Sequence, residues 1–329
     1  MFLPFRCNFA LMKQISAIFI LLFGCLSAFA QDIQTLRSSL MQYQFNALPL
    51  NPAYAGRMDA TTFDAFYYGN FSSGQQLSRS AMVSLHGRGG AERQLGWGGV
   101  MQFYSQNAFN ELNIHPTFSR ILPMGNGNLS MGATLGISYF DVNEAIQATL
   151  NNSFMAVDGG LGVFWHNQRS FIGLSAPSVF EMPIQKQDPG NGGILRSRSY
   201  NLHTGSLFRL NDELYLKPAL LLRRALVYQL PEDDAVTDYN LWSADVHASV
   251  FIEGNYLIGL MAGYSKPADG FFEQTRLGVS ATLLFNNFRL GYAVQYNNQR
   301  NIAVSLPATH TLSVGYDFTE DPEAGRRVF

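Results

Sequence analysis

Charge is scarce. Asp, Glu, Lys and Arg make up 14% of the 329 residues, against roughly a quarter in ordinary soluble domains, which argues against a soluble enzyme. Cysteine occurs twice, as Cys7 and Cys25. Beyond residue 30 no uninterrupted apolar run reaches the ~20 residues of a membrane helix. There is no repeat with a period of about 20–50 residues and no low-complexity linker, so nothing marks a second globular domain. With a net charge of −2 and a pI near 6.3, no basic patch can hold a nucleic-acid backbone.

The chemistry-bearing motifs are equally sparse. No Gly-x-Ser-x-Gly elbow and no nucleophile beside a base occurs, so no catalytic residue is proposed and the chain is expected not to be an enzyme. Gly96-Trp97-Gly98-Gly99 and Gly159-Gly160-Leu161-Gly162 lack the spacing that opens a helix over a dinucleotide, so no cofactor is expected. His86, His115, His166, His203, His247 and His310 stand singly, none at metal-ligand spacing. Glu232, Asp233, Asp234 and Asp238 crowd one segment without the alternation or central glycine of a calcium loop, and read as a solvated acidic face.

What is present begins with a leader. Arg6 and Lys13 precede an apolar run from Ile15 to Leu26, followed by Ser27-Ala28-Phe29-Ala30-Gln31. This is the layout of a secretory signal over 1–30, with cleavage expected between Ala30 and Gln31. A competing lipoprotein reading uses Leu22-Phe23-Gly24-Cys25, but Phe23 is bulky where such boxes hold a small or branched residue. Cleavage removes both cysteines, which excludes disulfides, thiolate catalysis and cysteine-ligated metal in the mature chain. It also removes two basic residues and no acidic one, leaving a mildly acidic product.

After the leader, period two dominates. Leu129, Met131, Ala133, Leu135, Ile137 and Tyr139 alternate with Ser130, Gly132, Thr134, Gly136 and Ser138. The same alternation runs from Thr275 to Leu283 and from Phe288 to Tyr296, where a helix would show three-and-four spacing. The pattern predicts an all-β chain of about 14 strands, near 61–69, 80–87, 95–104, 110–121, 128–140, 154–165, 170–177, 199–210, 213–224, 240–253, 256–264, 271–284, 287–296 and 307–318. Many reach the ~9–11 residues that cross a bilayer when tilted, with aromatic residues near their ends.

Turn lengths sharpen this. Short turns are expected at Gly125-Asn126-Gly127, Asn211-Asp212, Gly254-Asn255 and Asn286-Asn287, with longer connections between them. Such sorting suits a transmembrane antiparallel barrel of the bacterial outer membrane, with short turns and both termini periplasmic. Closure satisfies backbone groups that hydrocarbon cannot. The expected organisation is a signal over 1–30, an N-terminal periplasmic or plug segment over 31–56, a barrel over 57–318 and a periplasmic tail over 319–329.

Gln42-Tyr43-Gln44-Phe45-Asn46-Ala47-Leu48-Pro49-Leu50-Asn51-Pro52-Ala53-Tyr54-Ala55-Gly56 resembles the opening of the PorP/SprF family of type IX secretion membrane proteins. Phe171-Ile172-Gly173-Leu174-Ser175-Ala176-Pro177 is similar to the family's Gly-Leu-Ser-x-Pro strand end, Leu214 to Pro218 to its Leu-x-Leu-x-Pro strand, and Thr309 to Phe318 to its closing strand. Two departures are Thr311, where an acidic residue is expected after the histidine, and a tail that continues past Phe318. The resemblance implies a non-enzymatic barrel in outer-membrane lipid, working with the type IX translocon and periplasmic ring components. It also implies a secreted cargo with a C-terminal sorting domain, in some members an adhesin of gliding motility. The alternative is a 14-stranded channel for a hydrophobic or small solute.

Two sets of residues are singled out. In Asn51, Pro52, Ala53, Tyr54, Ala55 and Gly56, proline fixes φ, holds Asn51 extended, and glycine permits a turn into the first strand. The segment reads either as a structural corner plugging or sealing the barrel or as a direct partner contact. Among Arg196, Arg198, Arg223, Arg224, Arg276 and Arg289, a lipid-facing charge at mid-depth costs about 2–4 kcal/mol, which pushes most to the lumen or the membrane edges. Arg276 and Arg289 read as lumen-facing.

Overall fold

A computed structural model describes residues 45–72, 75–90, 92–106, 109–142, 154–184, 196–229, 237–267, 273–300 and 308–319. The expected leader, including Ala30 and Gln31, the first residues of the family segment, the acidic cluster at 232–234 and the residues beyond Thr319 lie outside the described residues.

The strands are β1 (Thr61–Ser72), β2 (Gln75–Gly89), β3 (Leu95–Gln106), β4 (Phe109–Met124), β5 (Gly127–Val142), β6 (Phe154–His166), β7 (Ser170–Pro183) and β8 (Arg196–Ser206). A two-residue β9 (Phe208–Arg209) follows, then β10 (Leu214–Gln229), β11 (Thr237–Ile252), β12 (Tyr256–Pro267), β13 (Glu273–Phe285), β14 (Phe288–Arg300) and β15 (Ala308–Phe318). Each long strand pairs antiparallel with its chain neighbour, and β1 pairs β15 from Thr61↔Phe318 to Phe71↔Ala308. The result is a closed barrel of fourteen long strands, with β9 an appendage on the edge of β10. No helix among the described residues is long and apolar enough to cross a membrane.

Alternation decides which face each residue takes. Leu277 is 62% exposed while its neighbour Arg276 is 5% exposed, which puts the apolar side chain outside and the charged one in the lumen. The same inversion holds along β5, where Met131, Leu135 and Ile137 are exposed and Ser130 and Ser138 are buried. Exposed aromatics form two belts. Tyr139, Tyr200, Trp242 and Tyr264 lie towards one end, and Phe208, Tyr256, Phe285, Phe288 and Phe318 towards the other, as the two bilayer interfaces require. Gly125 (φ 61°) and Asn286 (φ 50°) take the left-handed conformation of tight hairpins at the second end.

The sorting of connections is less complete than the sequence suggests. At the long-loop end, β1–β2 and β3–β4 are joined by two residues each, 73–74 and 107–108. The strands extend through polar residues such as Asn70, Gln76, Ser78 and Gln106, which read as loop in the sequence. Pro177 does not end β7, which bulges there and continues to Pro183, since a proline without an N–H is tolerated at a bulge. The strand predicted over 199–210 breaks instead at Leu207 and resumes as β9.

Candidate functional site

Residues 45–57 enter the barrel rather than its wall. Asn51 caps a short 3-10 turn over Pro52–Tyr54, its Oδ1 accepting from the Ala53 N–H at 2.9 Å. With Oδ1 engaged by its own turn, Nδ2 is left to reach the wall. It donates to Val163 O at 3.0 Å and Leu174 O at 3.4 Å and lies 3.1 Å from His203 Nε2.

Other anchors flank it. Leu50 O accepts from Ser175 Oγ at 2.6 Å and from Asn201 Nδ2 at 3.2 Å. Ala55 O accepts from Ser119 Oγ at 2.8 Å, and Gly56 O from Arg88 Nε. Asn46 Nδ2 donates to Asp64 Oδ2 at 3.1 Å and Ser84 Oγ at 2.5 Å. The carbonyls that an extended segment would leave unpaired in the lumen are thus taken up by wall side chains, as buried backbone groups require.

Glycines make the room. A Cβ at Gly132 would lie 2.5 Å from Ala53 N and Pro52 C, and one at Gly162 or Gly96 would strike Asn51 Oδ1 or Ala55 O. At Gly173 it would strike His203, with Asn51 Nδ2 2.8 Å away. The Tyr54 ring meets Phe164 edge-on at 5.6 Å and His86 at 5.3 Å, and the Arg57 guanidinium sits 5.4 Å from the Tyr54 centroid. His166 and His203 pack on the other sides of Phe164. Three histidines that look isolated in the sequence therefore meet around one aromatic cluster. Among the described residues no group of three His, Cys, Asp or Glu could hold a metal ion.

Arg276 and Arg289 point into the opposite side of the lumen. Arg276 Nε and Nη2 donate to Asp245 Oδ1 at 3.1 and 2.8 Å, and Nη1 to Ser265 Oγ at 2.5 Å. Arg289 pairs with Asp64 at 2.9 Å and with Asp317, whose other oxygen accepts from Thr62 Oγ1 at 2.8 Å. This second cluster ties β14 and β15 to β1 across the closing seam. Arg224 faces outward over the Trp242 ring at 5.3 Å and Arg198 is also exposed outside, both at the level of an aromatic belt. Arg223 is buried in the lumen.

A cavity of about 140 Å³ lies beyond the segment, towards the long-loop end. Gly96, at the start of β3, meets Ala55, whereas Val100 and Gln102, further along that strand, line the cavity. Leu48, Pro49, Leu50 and Pro52 form its floor. Its walls include Met82, Asn113 and His115, the last 2.7 Å from Asp158. Pro177, Ser178, Ser199 and Arg223 complete one side. Gly96, Gly162 and His203 enter the sequence reading only as rejected dinucleotide or metal candidates, and Gly173 and Ser175 only within a family segment, while Ser119 and Asn201 carry no sequence signal. The one signal of a seat is the recurrence of small residues on the lumen parity of β3 and β5–β7.

Comparison with known proteins places this geometry. The sequence pattern of the type IX secretion system membrane protein PorP/SprF family matches residues 33–316. No curated protein sequence matches. Among solved structures, the CymD monoaromatic hydrocarbon channel is similar with a TM-score of 0.55 at 12% identity, over 89% of this chain and 95% of that one. A Pseudomonas aeruginosa FadL homologue is similar with a TM-score of 0.53 at 11% identity, over 89% of this chain and 100% of that one. Identities this low speak for the shared outer-membrane barrel fold alone. The family match spans the lumen segment and reaches every strand, ending two residues before β15 does, and the chain belongs to the PorP/SprF family of type IX secretion system membrane proteins.

Proposed function

We propose that this barrel is a non-enzymatic scaffold or cargo-specific adaptor of the type IX secretion machinery. In this reading the short turns and both termini are periplasmic, and the longer connections face outward. The single observation that carries it is the occupied lumen: Asn46, Leu50, Asn51 and Ala55 are each hydrogen-bonded to the wall. A barrel filled by its own chain offers its surfaces, not its bore, for work. The partners would be the translocon, its periplasmic ring components and a secreted cargo with a C-terminal sorting domain, an adhesin of gliding motility among the candidates.

The test is a mild-detergent pull-down of tagged protein from outer membranes, with mass spectrometry against an unrelated barrel. Co-purified type IX components or a sorting-domain cargo are expected. Recovery of nothing beyond the control, while other translocon contacts survive, would sink the adaptor reading.

A second reading, a channel for a hydrophobic or small solute, draws on the cavity and on neighbours described as hydrocarbon channels. It requires residues 45–57 to move. Reproducible, solute-sensitive conductance in planar bilayers would favour it.

A further inference from the structure

The barrel wall is not uniformly laced. β7 and β8 pair only from Ser170↔Ser206 to Ser175↔Asn201, although β7 continues to Pro183 and β8 begins at Arg196. On their far sides both stay paired. β8 meets β10 from Arg196↔Tyr228 onward, and β7 meets β6 from Phe180↔Gly159 to Pro183↔Ala156. Among the described residues, 176–183 and 196–200 are therefore two strand edges facing each other with no ladder between them.

Pro177 and Gly160 explain the gap. Between Leu161↔Ala176 and Gly159↔Phe180, β6 has one residue, Gly160, where β7 has Pro177, Ser178 and Val179. Pro177 lacks the N–H a ladder needs. A Cβ on Gly160, on the lumen side of β6, would lie 2.6 Å from Ala176 O and strike Pro177 O. The bulge thus folds over the lumen face of β6 and draws β7 away from β8.

Behind the gap lies the cavity, with Pro177, Ser178, Ser199 and Arg223 in its wall. Arg223 is level with Asn201, where the β7–β8 ladder stops. It is 8% exposed, and its Nε has no hydrogen-bond partner among the described residues. Asn201 Oδ1 is likewise unpartnered there.

We propose that the space between β7 and β8 is a docking slot for one extended segment of a partner polypeptide, which pairs with both edges and presents a carboxylate to Arg223. The proposal rests on the adaptor reading and gives it a location. Strand edges display backbone donors and acceptors, which a second backbone satisfies and a hydrocarbon or acyl chain does not. The level is also right for a chain arriving from water. Arg198 and Tyr200 on β8 face outward beside Arg224 and Trp242, a charged and aromatic mixture of the membrane boundary. A buried guanidinium with a free N–H calls for an anionic acceptor.

The experiment places a photo-crosslinking amino acid at Val179, at Tyr200 or, as a control on the far wall, at Leu277, in the full chain in outer membranes. It is read alongside the pull-down. Adducts at 179 and 200 to alternate residues of one short segment of a co-purifying polypeptide, with none at 277, are expected. Arg223→Glu should lower retention of that polypeptide at least tenfold and Arg223→Lys should keep most of it, both with parental heat-modifiable gel mobility.

Lipid adducts alone at 179 and 200, or full retention by folded Arg223→Glu, would overturn the slot. Type IX components in the pull-down with silent crosslinkers at 179 and 200 would overturn the slot and leave the adaptor reading standing. An empty pull-down with silent crosslinkers would overturn both.

Discussion

Along β3, β5, β6 and β7 the lumen positions that meet residues 51–55 include four glycines, Gly96, Gly132, Gly162 and Gly173. Along β11, β13 and β14 the inward positions include Asp245, Arg276 and Arg289, which fill their own space. The first wall has given up side chains so that a piece of backbone can approach, and it holds that backbone with neutral donors such as Ser119, Ser175 and Asn201. The second wall pairs Arg276 with its own Asp245, and Arg289 reaches across the seam to Asp317 and Asp64. Asp64 joins the two, accepting from Asn46 of the lumen segment and from Arg289 of the charged wall. Side-chain volume on the lumen face thus sorts the interior into a seat and a strut.

The strongest challenge to this contrast is Arg289→Met. It leaves Asp64 and Asp317, 2% and 0% exposed, without their cation, and breaking a buried pair in this way costs about 3–5 kcal/mol. A matching fall in the urea midpoint free energy of the detergent-folded barrel is expected, and a loss under ~1 kcal/mol would mean the seam does not depend on it. Arg276→Met should come next, about 3 kcal/mol, because only Asp245 loses its partner. A thiol probe adds sharpness, since the chain has no cysteine beyond Cys25. In an Ala55→Cys background, the thiol should stay unreactive to a maleimide when Arg276 is changed.

Gly162→Val attacks the other wall. Overpacking of this kind costs about 1–3 kcal/mol, and the added side chain meets Asn51 and Pro52. The segment should lift, so the same Ala55→Cys thiol becomes reactive while the barrel keeps its folded gel mobility. Unchanged protection would show that the wall, not the segment, yields. Tyr54→Phe is the mildest. It removes a hydroxyl that donates to Phe45 O at 3.1 Å and accepts from Arg57 at 3.3 Å, worth about 0.5–1.5 kcal/mol. Faster hydrogen exchange confined to residues 45–57 is the expected readout, and exchange spreading through β13 and β14 would blur the contrast.

The barrel itself was legible because hydrocarbon enforces a rule residue by residue. Leu129 to Tyr139 alternates with Ser130 to Ser138, and each strand can be read without knowing its neighbours. Legibility fades at the strand ends. β1 to β4 run on through polar residues such as Asn70, Gln76, Ser78 and Gln106 that read as loop, so their two-residue connections read as longer, and Pro177 reads as a terminus although a bulge accommodates it. For 51–56 the sequence left a structural corner and a partner contact both open. Asn51 is cap, anchor and neighbour of His203 at once, and those partners are distant in the chain. The glycines were visible as small residues, but which of them face the segment depends on parity and closure together.

The sequence by itself determined an outer-membrane-type β-barrel with apolar residues outward, because the solvent on each face acts locally and writes itself into a period of two. Only the tertiary structure decided what fills that barrel. Pairing β1 with β15 brings Asp64, Arg289 and Asp317 together. The curvature of β3 to β8 sets the glycines around residues 51–55, and the bulge at Pro177 unlaces β7 from β8. These are contacts between segments far apart in the chain, fixed by register and ring closure, and no local pattern of residues encodes them.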